Sequence, residues 1–463
     1  MPWYVEERSC VSAHPLPASI TPRVPHLSLS APAHSRLTPR LLFILAFISA
    51  VPPLSIDMYL PGFTEMSRDL GTPASTVQLT LTAFLFGFAS GQLVIGTLSD
   101  RFGRRRPLLI SLAVCTVASI GCAIAPGIAL LIALRFVQGF TGAAGVVIGR
   151  SIIRDLTEGR AAVKAFSILA AIVSFAPVVA PLLGGTLLPL VSWRGVLGVI
   201  AAATLLMTVV IFLFVPESLA VEHRNDGGIG ATLRTARALF ANRIYVGYLA
   251  VLAFTYGAVF AYVSASPFVF QNVFGLSARW YSVAFTFNAL GLILASAVNT
   301  RIVYRIDPAR TLLVAQATLL TVGLLLGTSI LTGVATIATV LPLTFLMLTS
   351  IGFTAGNSTA LAMNAVKHGV GTAAALLGAV QFTFGAVVSP VVGLGGEDTA
   401  VPMVAVIMIC TSISFLALLV TRHLIAARGR EVEAQQPAAA QASLGDHAVQ
   451  GEAGEGGFLK TMR

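Results

Sequence analysis

Apolar residues along this chain come in long unbroken runs, not in strict alternation or in narrow helical stripes. The runs lie near residues 41–62, 77–98, 107–125, 128–149, 165–188, 196–216, 244–266, 281–300, 311–330, 335–357, 371–394 and 401–421. Each is about the ~20 residues that a helix needs to cross the ~30 Å hydrocarbon core of a bilayer. Continuous runs exclude a strand barrel, in which lipid-facing and lumen-facing positions alternate. The pattern therefore predicts an all-α membrane protein with twelve transmembrane helices. One division, inside 107–149, rests on reading Pro126–Gly127 as a turn.

The polar segments set the organisation. Residues 1–38, rich in Pro, Ser and Ala, read as a disordered N-terminal extension. Their start is neither basic nor followed by an apolar run, so they do not read as a signal peptide. The longest internal interruption, 217–243, falls after the sixth span and reads as a cytoplasmic linker between six-helix bundles at 39–216 and 244–422. Residues 423–463, of low complexity from about Glu431 onward, are expected to form a disordered C-terminal tail. Two bundles joined by a linker suit a rocking transporter with its site between the halves. A channel would show a filter or pore-loop segment, and none is visible.

Composition agrees. The chain is 56% hydrophobic and 10% charged, against about 25% charged in a soluble domain. A net charge of +10 would fit a nucleic-acid partner if it lay on one surface, but the basic residues sit in the gaps between runs, which excludes that reading. With the amino terminus inside, 25 Lys and Arg fall in inner loops and tails and three (Arg68, Arg194, Arg279) in outer loops. The bias predicts a multi-pass protein of the cell's inner (plasma) membrane with both termini cytoplasmic. The cysteines have no metal-ligand spacing, and every histidine lies outside the spans. No enzyme chemistry and no cofactor are expected, and the chain is expected to act as a monomer.

The densest polar stretch is Gly96–Pro107, GTLSDRFGRRRP, between the second and third spans. Gly96, Asp100, Arg101, Gly103 and Arg104, with Arg154 after the fourth span, read as a topology anchor and conformational latch at helix ends. Ionisable residues within spans are costly and are functional candidates by default. Two stand out: Asp57 in SIDMYLPG and Arg135 in LIALRFVQG. Asp57 is expected roughly 8–10 Å, and Arg135 roughly 10 Å, below the outer helix ends, where the pair can meet across a water-filled cavity as a proton-coupling or substrate site. A static salt bridge between helices is the structural alternative. Tyr59, Gln138, Tyr256, Asn288, Asn357 and Gln381 are candidate cavity-lining residues, with interhelical hydrogen bonding the alternative for the amides. Pro177, Pro181, Gly184 and Gly185 in SFAPVVAPLLGG are expected to kink the fifth span and let another backbone approach closely.

The GTLSDRFGRRRP loop resembles the signature between the second and third helices of the major facilitator superfamily. LRFVQGFTGAAGVVIGRSIIRDL is similar to the arginine-containing fourth-helix signature of its proton-coupled members. SFAPVVAPLLGG resembles the fifth-helix antiporter signature, although Ala176–Pro177 stands where many members have Gly-Pro. Asp57–Pro61, with Trp193–Arg194, resembles the Bcr/CflA group of drug-resistance transporters. The resemblance implies the major facilitator fold and drug:proton antiport, driven by the proton gradient, of hydrophobic or amphipathic compounds such as amphenicols or bicyclomycin. It assigns proton and drug handling to Asp57 and proton transfer to Arg135. A major-facilitator importer, a symporter of a sugar or organic anion, is the alternative.

Overall fold

The computed structural model describes residues 37–220, 222, 224, 228–366 and 368–458. All but the last two residues of the expected N-terminal extension, parts of the linker, Lys367 and the last five residues lie outside the described residues. The helices are α1 (Pro39–Asp57), α2 (Phe63–Asp69), α3 (Ala74–Phe102), α4 (Arg105–Ile124), α5 (Ile128–Leu156), α6 (Gly159–Phe214), α7 (Gly228–Ala241), α8 (Arg243–Phe268), α9 (Ala278–Ile302), α10 (Pro308–Leu331), α11 (Ile337–Asn364), α12 (Val370–Gly393) and α13 (Val401–Phe458). Eleven helical segments among the described residues are long and apolar enough to cross a membrane.

The difference from twelve has one cause. α6 is 56 residues long, about 84 Å at 1.5 Å per residue, and contains one residue off helical geometry, Ser192 at φ 58° and ψ 177°. The segment before Ser192 ends beside Gly62, through Leu188. The segment after it begins where Arg194 bonds Asp69 and ends where the Phe212 carbonyl accepts from Arg105 and Arg40 stacks on Phe214. α6 thus reverses at Ser192 and supplies two crossings. Pro177 and Pro181 lie within it at helical geometry, so the break sits at Ser192 and not at the proline pair.

Local chemistry fixes the helix starts. Thr38 caps α1, accepting from the Leu41 amide at 3.2 Å, with Pro39 at the first position, where its missing N–H costs nothing. Asp307 and Pro308 repeat the arrangement at α10. Asn242 caps α8 and donates to the Ala365 carbonyl at 2.7 Å, tying the linker's end to α11. α7, within the linker, is amphipathic. α13 continues as helix beyond Arg428, its last apolar window, into the stretch read above as a disordered tail, where Ala, Glu and Gln favour helix intrinsically.

Helices alternate in direction and so define two ends. The N-terminus of α1, Gly103, Asp155 and Phe212 gather at one, here called the basic end. Asp69, Ala125, Trp193 and Arg194 gather at the other, the remote end.

Candidate functional site

The site begins with a broken helix. Pro52 and Pro53 sit inside α1 and have no N–H to donate. The helix ends at Asp57. The chain then bends at Met58 and Tyr59, makes one tight turn at Leu60–Gly62 and resumes as α2. The expectation that the first helix runs to Gly62 is therefore corrected: Asp57 is the last residue of α1. A helix end leaves carbonyls without intrahelical donors, and here the partner is Arg135 of α5.

Arg135 is fully buried. Its Nη2 donates to the Ser55 carbonyl at 3.0 Å, and its Nη1 donates to Gln138 Oε1 at 2.6 Å. The guanidinium lies 4.1 Å from the Tyr59 ring centroid and 4.5 Å from that of Phe84. Two aromatic faces and the negative end of a helix dipole give the cation an environment without a counter-ion. Gln138 passes the network on, donating to Ser119 Oγ at 2.7 Å, which donates to the Cys115 carbonyl at 2.7 Å. Arg135 Nε has no hydrogen-bond partner.

Asp57 is 6% exposed. Among the described residues its carboxylate makes no hydrogen bond and no ion pair; the ion pairs are Arg104–Asp100, Arg104–Asp155 and Arg194–Asp69. The structure therefore brings Arg135 to the backbone two residues before Asp57 and does not pair the two charges.

Of the other cavity candidates, Tyr59 is buried, with its hydroxyl 3.3 Å from Thr80 Oγ1. Gln138, Asn288 and Asn357 are taken by side chains around them: Asn288 donates to Tyr262 at 2.7 Å and Thr344 at 2.9 Å, and Asn357 to Asn299 at 2.8 Å. Tyr256 and Gln381 are half-buried. Spare hydrogen-bonding capacity stands at Gln78 Oε1, Gln92 Nε2 and Asn288 Oδ1. Phe88 of α3 meets Phe382 of α12 edge to face at 4.6 Å, so an aromatic contact joins the N-terminal and C-terminal helices here.

At the basic end the latch candidates divide. Arg104, 3% exposed, donates to Asp100 at 2.5 Å, Ser99 at 2.9 Å and Asp155 at 2.9 Å. Burial opposes its charge, but the hydrogen bonds and charges of Asp155 and Asp100 prevail and hold its pKa above the usual arginine value. Glu217, which the sequence placed only in the linker, accepts from the Arg104 amide at 2.7 Å and the Arg105 amide at 3.2 Å, at the N-terminus of α4. Gly103 has φ +88°, and a Cβ there would meet the Glu217 carboxylate and Arg224. Gly96 packs against Val147. Arg101 and Arg154 are exposed and belong to no ion pair among the described residues.

The glycine pair in α6 behaves as a seam. Gly184 lies against the Met58 carbonyl, and Gly185 against Ser282 and the Ala278 carbonyl of α9. Among the described residues, five hydrogen bonds join α1–α6 to the helices from α8 onward, all at or toward the remote end: Thr64 to Gln271, Gln271 to the Pro61 carbonyl, Ser67 to Glu397, Gln78 to the Ser264 carbonyl and Thr286 to the Val178 carbonyl. Gln271 sits on a wide turn, Val269–Val273, that ends the α8 crossing. Ser67, Gln271 and Glu397 lie in loops or at helix ends, and nothing in their local sequence marks them.

The sequence profile described as Major Facilitator Superfamily matches residues 42–390. The chain is 39% identical over 386 residues to an uncharacterized MFS-type transporter, YdgK, of Bacillus subtilis, covering 81% of this chain and 94% of that protein. It is 32% identical over 384 residues to a bicyclomycin resistance protein homolog of Haemophilus influenzae, covering 81% and 94%. Its fold resembles the inward-facing, unoccupied structure of a bacterial homolog of the human lysosomal transporter Spinster, with a TM-score of 0.66, 15% identity and coverage of 82% of this chain and 96% of that one. The chain belongs to the major facilitator superfamily and is a multi-pass membrane protein that moves a small organic solute by secondary active transport, not an enzyme.

Proposed function

We propose that the protein is a Bcr/CflA-type drug:proton antiporter that expels small hydrophobic or amphipathic compounds, amphenicol- or bicyclomycin-like, as a monomer in the inner membrane. The observation that carries this reading is Asp57: a buried carboxylate at the end of a broken transmembrane helix, with no cation bonded to it among the described residues. Such a group is suited to taking up and releasing a proton, because no salt bridge holds its charge. The similarity to a bicyclomycin resistance homolog supports the cargo class.

By the charge bias of the loops, the basic end faces the cytoplasm. The hydrogen bonds between halves then lie at or toward the outer end. A proton arriving from outside neutralises Asp57 and favours drug release. Its departure inward restores the carboxylate, and drug binds again from the cytoplasm or inner leaflet. Arg135 holds the end of α1 through the Ser55 carbonyl and so positions Asp57 during the exchange. Each proton falling through 100 mV supplies about 2.3 kcal/mol, enough for a drug gradient approaching fiftyfold.

The test is Asp57→Asn. Efflux of amphenicols, bicyclomycin and cationic dyes is followed from loaded cells with and without a protonophore, with membrane content checked by immunoblot. The variant is expected to reach the membrane and lose at least tenfold of the protonophore-sensitive efflux. Undiminished proton-driven efflux by Asp57→Asn overturns the assignment.

A further inference from the structure

The Ser67 hydroxyl at the remote end has two short contacts. It lies 2.6 Å from the Thr72 carbonyl and 2.6 Å from Glu397 Oε1. A serine hydroxyl has one proton to donate and two lone pairs with which to accept. If Glu397 is ionised, one of these contacts sets an oxygen lone pair against another at 2.6 Å. Both are satisfied when the Glu397 carboxyl carries the proton: it donates to Ser67 Oγ, and Ser67 donates to the Thr72 carbonyl. Ser67 lies on α2, and Glu397 lies on the turn between α12 and α13, so the bond crosses between halves. The neighbouring Gly393 packs on Ser75 and Gln78 at the start of α3, which brings the turn down on the N-terminal helices.

We infer that Glu397 is a second proton-binding residue, and that its protonated carboxyl clasps Ser67 and holds the remote end shut. The charged groups around it leave that role open. Asp398 lies beside it on the same turn, and α2 carries Glu65, Arg68 and Asp69. Asp69 is taken by Arg194 and Trp193, Glu65 faces the Trp193 backbone, and Arg68 is exposed with no ion pair among the described residues. Of α3, Ser75 and Gln78 pack against Gly393 at the end of α12, and among the described residues Glu397 makes no ion pair. Glu397 therefore has no cation among these neighbours to hold it ionised. A proton bound here on closure returns to the same side on opening, so the residue senses the proton concentration of that side and moves none across. The inference rests on alternating access alone and stands whatever the cargo and whether or not Asp57 couples transport.

The test measures the closure directly. Spin labels on Leu190→Cys and Val334→Cys, both exposed and on opposite halves, report the remote end by pulsed dipolar spectroscopy. The full chain is placed in lipid nanodiscs between pH 5 and 9, in a background lacking Cys10; the other three cysteines are buried. Wild type is expected to lose its short-distance population as pH rises, by up to tenfold in the closed-to-open ratio per pH unit, the limit for one linked proton. Glu397→Gln, whose amide still donates to Ser67, is expected to stay closed across the range, and Glu397→Ala to stay open across it. The same responses are expected in an Asp57→Asn background, which separates this site from the coupling site. A wild-type distribution that ignores pH, or a pH response that persists in Glu397→Gln, overturns the inference.

Discussion

The two ends of the molecule are held by different kinds of contact. At the basic end every polar bond that the GTLSDRFGRRRP loop makes among the described residues stays within α3, α4, α5, the end of α6 and the residues just after it: Arg104 to Asp100 and Asp155, Glu217 to two backbone amides, Arg105 to the Phe212 carbonyl. At the remote end Arg194 and Trp193 bond Asp69 within the N-terminal half, and the bonds that cross from one half to the other are mostly between neutral partners. Charge makes one half rigid, while weak neutral bonds join it to the other. That is a sensible division for a machine that rocks. A charge-assisted network left half-broken in a low dielectric is strongly destabilising, whereas a neutral bond costs only about 0.5–1.5 kcal/mol to exchange.

The comparison breaks most visibly at Arg104. Replacing both carboxylates, Asp100→Ala with Asp155→Ala, leaves a guanidinium of 3% exposure without an ionic partner. It is expected to destabilise by about 3–5 kcal/mol, read as a fall in the melting temperature in detergent, with the Leu190–Val334 distance distribution unchanged. A shift of that distribution toward open would show that the basic network also governs the remote end. Gln271→Ala, which removes two bonds between halves, is expected to do the converse. It shifts the closed-to-open ratio roughly thirtyfold, from about 2 kcal/mol, with little change in melting temperature. The smallest effect is expected at Arg154→Ala. The side chain is exposed and outside the network, so melting temperature, distances and efflux should all match wild type.

The sequence carried the spans because crossing a bilayer imposes a local rule of length and apolarity on each segment. It carried Pro126–Gly127 as a break for the same reason. The reversal at Ser192 is legible only as the dip in hydropathy between 188 and 196, since nothing in a serine marks a positive φ. Asp57 and Arg135 were conspicuous as charges in apolar surroundings. Their relation was not, because a guanidinium bonded to a backbone carbonyl leaves no second side chain to find. Pairing two charges at similar depth was a reasonable expectation that overlooked the helix end between them. Glu217, Gln271 and Glu397 escaped for a third reason. Each is an ordinary polar residue in a loop or at a helix end, and its meaning depends on residues about a hundred or more positions away.

Gly184 and Gly185 are adjacent in the chain but face different obstacles, and this bears on how the gene can vary. At 184 an added methyl meets the main-chain carbonyl of Met58, in the same half. No exchange of side chain removes a carbonyl, so damage there has no simple second-site remedy. At 185 the nearest obstacle is the Ser282 side chain on the opposite half, which another codon can shorten, while the Ala278 carbonyl stands farther off, 3.1 Å from the added methyl, than the Met58 carbonyl does at 184. Intragenic suppressors should therefore be recoverable for lesions at 185, falling in α9, and should be absent for those at 184. Two neighbouring glycines with the same apparent role are thus held by different constraints, one by the fixed interior of a half and the other by the surface on which the halves move.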